Sequence, residues 1–371
     1  TRSGHSVRPH RMATLKQVAV AAGVSTFTVS RVLSGRGRES RISDQRISQV
    51  EKVAAKLGYR PNAAARATRE KRTRLIGVLT FTHVDAPEFT PQNQLIVQGI
   101  NRELEKFGYL TSLIRINDLW ECGEVKHRAF AEQLGDGIAA INILPPSLEE
   151  QLDGHFKNCV WVDANVFKDG RCVRRDEYMA GRLLVEHAAR VGYERVIYLD
   201  DFDDDGDLEP LIGYRHYSWT ERGDGVREAA EEHGLGLEVI PCGYHWEPGF
   251  ARVGERFDEK CLVLGYGIAH SRMAIRMAME CGLMVGRDFG LACCEWVPEL
   301  GLEWPGLCHA DFDRLAMGEE AARLLVEQID ASLKTPKSHS SAKQPKVIER
   351  DPIKQAPTLV VGDSAPGPGR Y

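Results

Sequence analysis

The chain has 371 residues, enough for two or three domains, and its 43% hydrophobic content is ordinary for a globular protein. The composition suggests neither a fibrous nor a disordered protein, and the apolar runs are far shorter than the roughly 20 residues of a membrane span. The first residues are basic but lack the apolar stretch of a secretory signal, so we expect a cytoplasmic protein that does not contact a membrane. The nine cysteines lack C-x-x-C spacing, and their odd number argues against a disulfide framework.

Charge is distributed unevenly along the chain. Residues 1–74 contain 17 Lys and Arg but only 4 Asp and Glu, a net charge of +13. The remainder contains 31 basic and 49 acidic residues, a net charge of −18. A basic head on an acidic body predicts that the head binds a polyanion, for which nucleic acid is the obvious candidate.

Three short helices are predicted in the head. "TLKQVAVAAG" begins with a capping box formed by Thr14 and Gln17, and Gly23 can end it. Ser25 is the predicted cap of a second helix, "TFTVSRVL", and Ser43 that of a third. The tight turn between the first two helices predicts a helix-turn-helix, whose second helix is sized for the major groove of DNA.

The outer face of this second helix carries the groups suited to DNA. Ser30 and the threonines can cap the helix or contact phosphates, Arg31 can form two bonds to guanine, and Phe27 can touch a thymine methyl group. The alternative interpretation is an ordinary helical hairpin with Phe27 in its core.

The segments "TLKQVAVAAGVSTFTVSRVLSG", "LGYRPNAAARA" and "LIGVL" follow one another in order. In these segments the chain resembles the lactose/galactose repressor (LacI/GalR) family of bacterial transcription regulators. The resemblance implies that the second helix reads bases and that the Ala-rich segment is a hinge helix that enters the minor groove. The residues predicted to contact DNA are Thr26, Phe27, Thr28, Ser30, Arg31, Arg36, Arg38, Asn62, Ala65, Arg66, Thr68 and Arg69.

The head departs from the family pattern at two places. Thr68 stands where the family usually has a leucine that wedges apart the central base step, so the kink in the DNA is expected to be weaker or produced differently. The loop "SGRGRES" is about three residues longer than usual and, with Arg41, carries three arginines. We expect phosphate contacts from these arginines, and a solvated loop is the alternative.

Beyond residue 75, short apolar strands alternate with helices, which predicts parallel α/β sheets. The resemblance implies a two-lobed, periplasmic-binding-protein-like body behind the all-α helix-turn-helix head and its hinge helix. The predicted divisions are 12–60 for the head, 61–74 for the hinge, 75–175 with 307–335 for the first lobe, 176–306 with 336–362 for the second lobe, and 363–371 for a disordered tail.

The resemblance also implies a small-molecule effector between the lobes. An arginine, carboxylates and a tryptophan suit a sugar or sugar derivative, although Asp163 could instead cap a strand end and Trp246 could lie in the core. The family's carboxylate position is occupied by Gly267 and Ile268, for which Tyr266 and His270 could substitute. The predicted effector-binding residues are His83, Phe89, Asp163, Arg222, Trp246 and Glu295.

The expected function is that of a sequence-specific DNA-binding regulator, a repressor, acting as a homodimer on a pseudo-palindromic operator. The alternatives are a constitutive regulator whose effector pocket is altered or lost, and a ligand-binding protein without a DNA function. The acidic run 201–212 resembles a calcium loop but ends at Ile212 rather than a glutamate. We predict no metal, no cofactor and no enzymatic activity.

Overall fold

The computed structural model describes residues 13–81, 90–116, 132, 135–142, 146–167, 170–201, 216–242, 248–297, 306–334 and 351–370. The chain divides into two compact units, residues 1–73 and 74–371. None of the described helices combines the length and the apolar character of a membrane-spanning segment.

Four helices form the described part of the first unit, and two of the three caps predicted from the sequence make their side-chain bonds. Thr14 and Gln17 form the capping box of the first helix, and the Ser25 hydroxyl accepts a bond from the Thr28 amide. The Asn62 side chain caps the fourth helix, whereas Ser43 precedes the third without a side-chain bond. The bounds are α1 Leu15–Ala22, α2 Thr26–Leu33, α3 Asp44–Lys56 and α4 Ala63–Glu70.

A small apolar core joins the first three helices. Val18, Val29 and Val50, one from each helix, are fully buried. Phe27 points away from this core and is 63% exposed. The helical-hairpin interpretation that places Phe27 in the core is therefore wrong, and an aromatic ring remains on the surface of α2.

The second unit contains two six-stranded sheets, in the orders β11-β5-β4-β3-β1-β2 and β12-β10-β9-β8-β6-β7. The first sheet is entirely parallel, and the second is parallel except for its edge strand β12. The strands are β1 Leu75–Phe81, β2 Leu110–Ile116, β3 Gly137–Ile141, β4 Cys159–Val162, β5 Cys172–Arg175, β6 Arg195–Asp200, β7 Gly236–Pro241, β8 Cys261–Gly265, β9 Gly290–Cys293, β10 Cys308–Asp311, β11 Ile353–Gln355 and β12 Thr358–Val360.

Helices cover both sheets, as parallel strands require. The first lobe comprises the first sheet with α5, α6 and α11, and the second lobe comprises the second sheet with α7, α8, α9 and α10. Their bounds are α5 Pro91–Lys106, α6 Pro146–His155, α7 Glu177–Val191, α8 Tyr217–Glu232, α9 Ala251–Gly254, α10 Ile268–Glu280 and α11 Arg314–Lys334.

In each lobe, two long helices approach each other closely at glycine residues. In the first lobe, a Cβ atom added at Gly99 would lie 2.1 Å from the Leu315 carbonyl oxygen, and one at Gly318 would lie 2.1 Å from the Ile96 oxygen. Gly225 in α8 stands equally close to the backbone of α7. The absent side chains therefore let these helices approach backbone to backbone.

The lobe boundaries near residues 307 and 336 differ from the predicted ones. β10 lies in the second sheet, although its residues were assigned to the first lobe, because the chain leaves the second lobe after this buried strand rather than before it. β11 pairs with β5 in the first sheet instead of joining the second. This strand is short and polar, so no apolar pattern marked its lobe.

The prediction of a disordered tail at residues 363–371 is also wrong, because residues 363–370 pack on the second lobe. Ser364 and Ala365 are buried. The Ser364 hydroxyl donates to the Leu291 carbonyl and accepts from the Cys308 amide, each at 2.7 Å. This side chain joins β9 to β10, which is why a segment rich in proline and glycine is ordered.

Candidate DNA interface and interlobe site

The exposed face of α2 brings the predicted base-reading residues together. Thr26, Phe27, Ser30 and Arg31 line a cleft of about 420 Å³ in the first unit, which Arg36 and Arg69 also border. The Arg31 guanidinium lies 5.3 Å from the centre of the Phe27 ring, so the two side chains form a cation–π pair.

Thr28 stands apart from this face. It is half-buried, and its hydroxyl lies 2.9 Å from the Ser25 hydroxyl at the start of α2. The geometry gives Thr28 a capping position in the free chain.

The hinge residues lie along a second cleft of the same unit, of about 500 Å³, which is lined by Asn62, Ala65, Arg66 and Arg69. Thr68 is exposed and borders neither cleft. Its hydroxyl donates to the Ala64 carbonyl at 3.0 Å, so the polar end of this side chain is satisfied within its own helix.

The arginine-bearing loop after α2 has a defined conformation. The Arg36 amide bonds to the Arg31 carbonyl at 2.9 Å, and the Ile42 amide bonds to the Gly37 carbonyl at 3.1 Å. Gly37 is buried against Ile47 of α3, which anchors the loop. These bonds hold Arg36 beside the recognition face.

Arg38 differs from its neighbour because its Nε donates to Asp44 at 2.9 Å, in an exposed pair at the start of α3. Arg38 lines neither cleft. The loop therefore presents Arg36 and Arg38 in different surroundings.

In the second unit, charged side chains gather where the two lobes meet. Three carboxylates and three guanidinium groups cancel in formal charge, and all are buried except Glu295, whose side chain is 16% exposed. We call this set the interlobe network: Asp163, Arg175, Glu177, Arg222, Glu295 and Arg314.

The fold explains how these residues meet. Asp163 follows β4 and Glu295 follows β9, so both stand at the carboxyl ends of parallel strands, where open α/β sheets bind ligands. Arg175 and Glu177 flank the crossing from the first lobe to the second, and Arg314 follows the return crossing. Distant segments therefore converge at one point.

Arg175 and Arg222 share the carboxylates between them. Arg175 places Nε and Nη2 each 3.0 Å from the two Asp163 oxygens, and its Nη1 lies 2.6 Å from Glu177. Arg222 donates from Nε and Nη2 to the two Glu177 oxygens at 2.6 and 2.9 Å, and from Nη1 to the Tyr266 carbonyl. Both pairs are the two-bond type that arginine forms best.

The start of α8 adds contacts from the second lobe to the first. The Tyr217 hydroxyl donates to Asp163 at 2.6 Å and accepts from the Arg175 amide at 2.9 Å, while the Tyr217 amide donates to the Asn165 side chain. Arg174 pairs with Glu221, and its guanidinium lies 4.2 Å from the centre of the Tyr217 ring.

The two carboxylates at the strand ends are held ionised. Burial by itself would raise the pKa of Asp163, but Arg175 and the hydrogen bond from His216 outweigh it and keep the pKa well below its usual range. Burial opposes ionisation of Glu295 in the same way, yet the charges of Arg222 and Arg314 lower its pKa.

Three of the six predicted effector residues, Asp163, Arg222 and Glu295, meet in this network. The sequence did not single out Arg175, Glu177 or Arg314, although a run of two arginines beside a crossover was a possible signal. His83, Phe89 and Trp246, like most of the acidic run 201–212, lie outside the described residues.

The two suggested substitutes for the missing carboxylate are both buried and bonded to protein groups. The Tyr266 hydroxyl lies 2.7 Å from the Ser218 hydroxyl, and His270 Nε2 lies 2.8 Å from the Cys242 carbonyl. Burial lowers the pKa of His270 to about 4, against the effect of that carbonyl, so the ring is neutral near pH 7. His270 therefore adds no charge to the network.

We expect the free energy of unfolding of the body to decrease at low pH because of Asp163. A carboxyl pKa below its unfolded value of about 4 stabilises the fold above that value, and this contribution disappears as the pH falls through the folded pKa. The difference in thermal stability between wild type and Asp163→Asn should therefore stay constant from pH 7 to about pH 4 and narrow as the pH falls further. A difference that does not narrow below about pH 4 would contradict the assignment.

Comparison with known proteins agrees with this architecture. Residues 14–62 match the model of the bacterial regulatory proteins of the lacI family. The transcriptional repressor MelR of Bacillus subtilis (strain 168) is 24% identical over 330 residues, which cover 86% of this chain and 92% of MelR. The Lac repressor dimer bound to operator and the anti-inducer ONPF superposes with a TM-score of 0.69 at 19% identity, covering 95% of this chain and 99% of that one. The CelR–cellobiose complex gives 0.58 at 20% identity, with 96% and 100% covered.

A helix-turn-helix head joined to a two-lobed α/β body defines a DNA-binding transcription regulator. Its head matches the lacI family model over residues 14–62, and most of the chain is similar to transcriptional repressors such as MelR.

Proposed function

We propose that the chain acts as a homodimeric repressor, in which each head reads one half of a pseudo-palindromic operator and the body responds to a sugar or sugar derivative. The observation that carries the proposal is the exposed face of α2, on which Phe27 and Arg31 stand free of the core beside two further arginines. Two-fold symmetry would place the two recognition helices about 34–36 Å apart.

Within this proposal, Arg31 and Phe27 contact base edges and Thr26 and Ser30 contact bases or phosphates. Arg36 contacts a phosphate beside the recognition helix, and Arg38 can do so by leaving Asp44. The hinge contacts come from Asn62, Ala65, Arg66, Thr68 and Arg69. Thr68 would face the DNA with its methyl group, because its hydroxyl is bonded to Ala64.

A second copy of the chain would cover apolar side chains that the body leaves exposed. Leu110 and Leu113 on the edge strand β2 are 74% and 56% exposed, and Met279 at the end of α10 is 73% exposed. Large apolar side chains that are exposed in one subunit are often covered at an interface between subunits. These residues support the homodimer.

The effector would bind at the strand ends near Asp163 and Glu295, with His83, Phe89 and Trp246 as further predicted contacts. Carboxylates that accept bonds from hydroxyl groups suit a sugar. A constitutive regulator is the second candidate. It is favoured by the two hydrogen bonds that Arg222 already donates to Glu177, because these two donors are then engaged by the protein itself.

Selection of binding sites from randomised duplex DNA, at one stated salt concentration, tests the regulator directly. A palindrome with a fixed centre is the expected result, whereas no enrichment above background would contradict the proposal. Thermal unfolding against a sugar panel separates the two candidates, because a true effector raises Tm in proportion to the logarithm of its concentration.

Arg31→Ala should relax base preference at one position in each half-site and weaken operator binding by about 1–3 kcal/mol, because a two-bond contact to a base is lost. Binding to operators substituted at each position, measured at one salt concentration, checks this. Lys56→Ala is the matched control, since it removes one charge from the last turn of α3 and borders neither cleft. Equal weakening on every sequence would make Arg31 a phosphate contact.

A further inference from the structure

The cleft beside the recognition helix α2 contains one acidic side chain among its basic ones. Glu70, the last residue of α4, lines this cleft together with Arg31, Arg36 and Arg69. The other three acidic residues of positions 1–74 border neither this cleft nor the second cleft of the first unit. A single carboxylate therefore stands on the surface proposed to meet DNA.

The stability of the head does not explain the position of Glu70. Its side chain is half-buried, yet it has no ion-pair partner within the described residues. A carboxylate in the last turn of a helix also faces the negative end of the helix dipole, which is unfavourable. Asp44, by contrast, begins α3 and pairs with Arg38. The charge of Glu70 is therefore better explained by what binds in the cleft than by the fold.

The carboxylate of Glu70 opposes binding that depends on phosphates alone. With α2 in the major groove and α4 in the minor groove, the backbone strand between the grooves passes the cleft that both helices line. Binding without sequence preference comes almost wholly from attraction between phosphates and basic side chains. A negative charge beside Arg31 and Arg36 reduces that attraction, because it repels the phosphates.

An operator can offset this repulsion in a way that other DNA cannot. The base contacts proposed for Arg31 and Phe27 fix the register of an operator on the head. In a fixed register the same base lies nearest to Glu70 in every complex, and a cytosine amino group at that place can donate to the carboxylate. DNA without such a donor leaves the charge unpaired, and an unpaired charge against the wrong partner is a common source of specificity.

We propose that Glu70 is a specificity-determining residue, which lowers the affinity of the head for non-operator DNA more than its affinity for the operator. This inference rests on the proposed function of operator binding. It adds a residue that acts by repulsion to those that bind DNA by attraction.

Glu70→Gln in the full-length chain tests this, because it removes the charge and keeps the shape of the side chain. At an ionic strength of about 0.15 M, the affinity for a duplex without the operator sequence should rise by about 3-fold or more, and should depend more steeply on salt concentration. The affinity for the selected operator should stay at the wild-type value or fall. The ratio of the two affinities should therefore decrease by about 3-fold or more.

Glu51→Gln is the matched control. It removes one negative charge from an exposed position on α3 that borders neither cleft. Both affinities should stay close to the wild-type values, because salt screens a charge that lies away from the DNA.

Two results would overturn the inference. One is an unchanged affinity of Glu70→Gln for non-operator DNA, and the other is an equal or larger rise on the operator, which would make the charge a general electrostatic effect. The proposed function fails separately, when the wild-type chain selects no operator, and the inference then fails with it. Circular dichroism of both variants confirms that the affinities compared are those of folded proteins.

Discussion

Glu177→Ala should destabilise the body by about 3–5 kcal/mol, the usual cost of removing one partner from a buried ion pair. Glu177 is fully buried and takes two bonds from Arg222, while Arg175 Nη1 lies 2.6 Å away. Its loss leaves two buried guanidinium groups short of a counter-charge. Chemical denaturation, followed by a probe specific to the body, measures the change.

Glu186→Ala is the control for this experiment. Glu186 lies on the same helix and pairs with Arg182, but its side chain is 36% exposed, so its removal should cost less than about 1 kcal/mol. Glu177→Gln keeps the shape of the side chain and should fall between the two. Equal small effects for Glu177 and Glu186 would show that the network contributes no more than surface pairs.

Gly318→Ala should destabilise the first lobe by about 1–3 kcal/mol, because the added methyl group would stand 2.1 Å from the Ile96 carbonyl oxygen. The contacting atoms belong to the backbone of α5, so the helices must separate to admit it. Thermal unfolding should show a lower Tm.

Gly154→Ala gives the opposite expectation with the same change of residue. Gly154 lies in α6, and a Cβ atom there would meet no atom within 4 Å. Alanine should stabilise that helix by about 0.5–1 kcal/mol through its higher propensity. A loss of stability at both positions would mean that the backbone approach of α5 and α11 is not the cause.

The sequence predicted the head well because its signals are local. A cap and its partner stand three residues apart, as in Thr14 with Gln17 and Ser25 with the Thr28 amide, so spacing alone identifies them. The exposure of Phe27 followed from helical periodicity. The conformation of the arginine loop did not, because it depends on Gly37 meeting Ile47 of the next helix.

The interlobe network shows what the sequence could not supply. Asp163, Arg222 and Glu295 were expected near a ligand, but their partners come from distant segments, as with Glu295 and Arg175. The pattern "VRRDE" does not show whether its charged residues are buried in ion pairs or exposed to solvent. That depends on where the two crossings between the lobes meet. Arg175 and Glu177 therefore needed the fold to be identified.

β11 and β12 lie near the end of the sequence, and this determines the order in which the parts of the fold can form during synthesis. The four helices of the head are all present once residue 74 has emerged, long before either sheet of the body is whole. Each sheet waits for an outer strand from residues 353–360, and Ser364 joins β9 to β10 later still. A chain interrupted between these points would carry every residue predicted to contact DNA on a body whose two halves are both unfinished, so the part proposed to bind DNA is complete before the part proposed to regulate it.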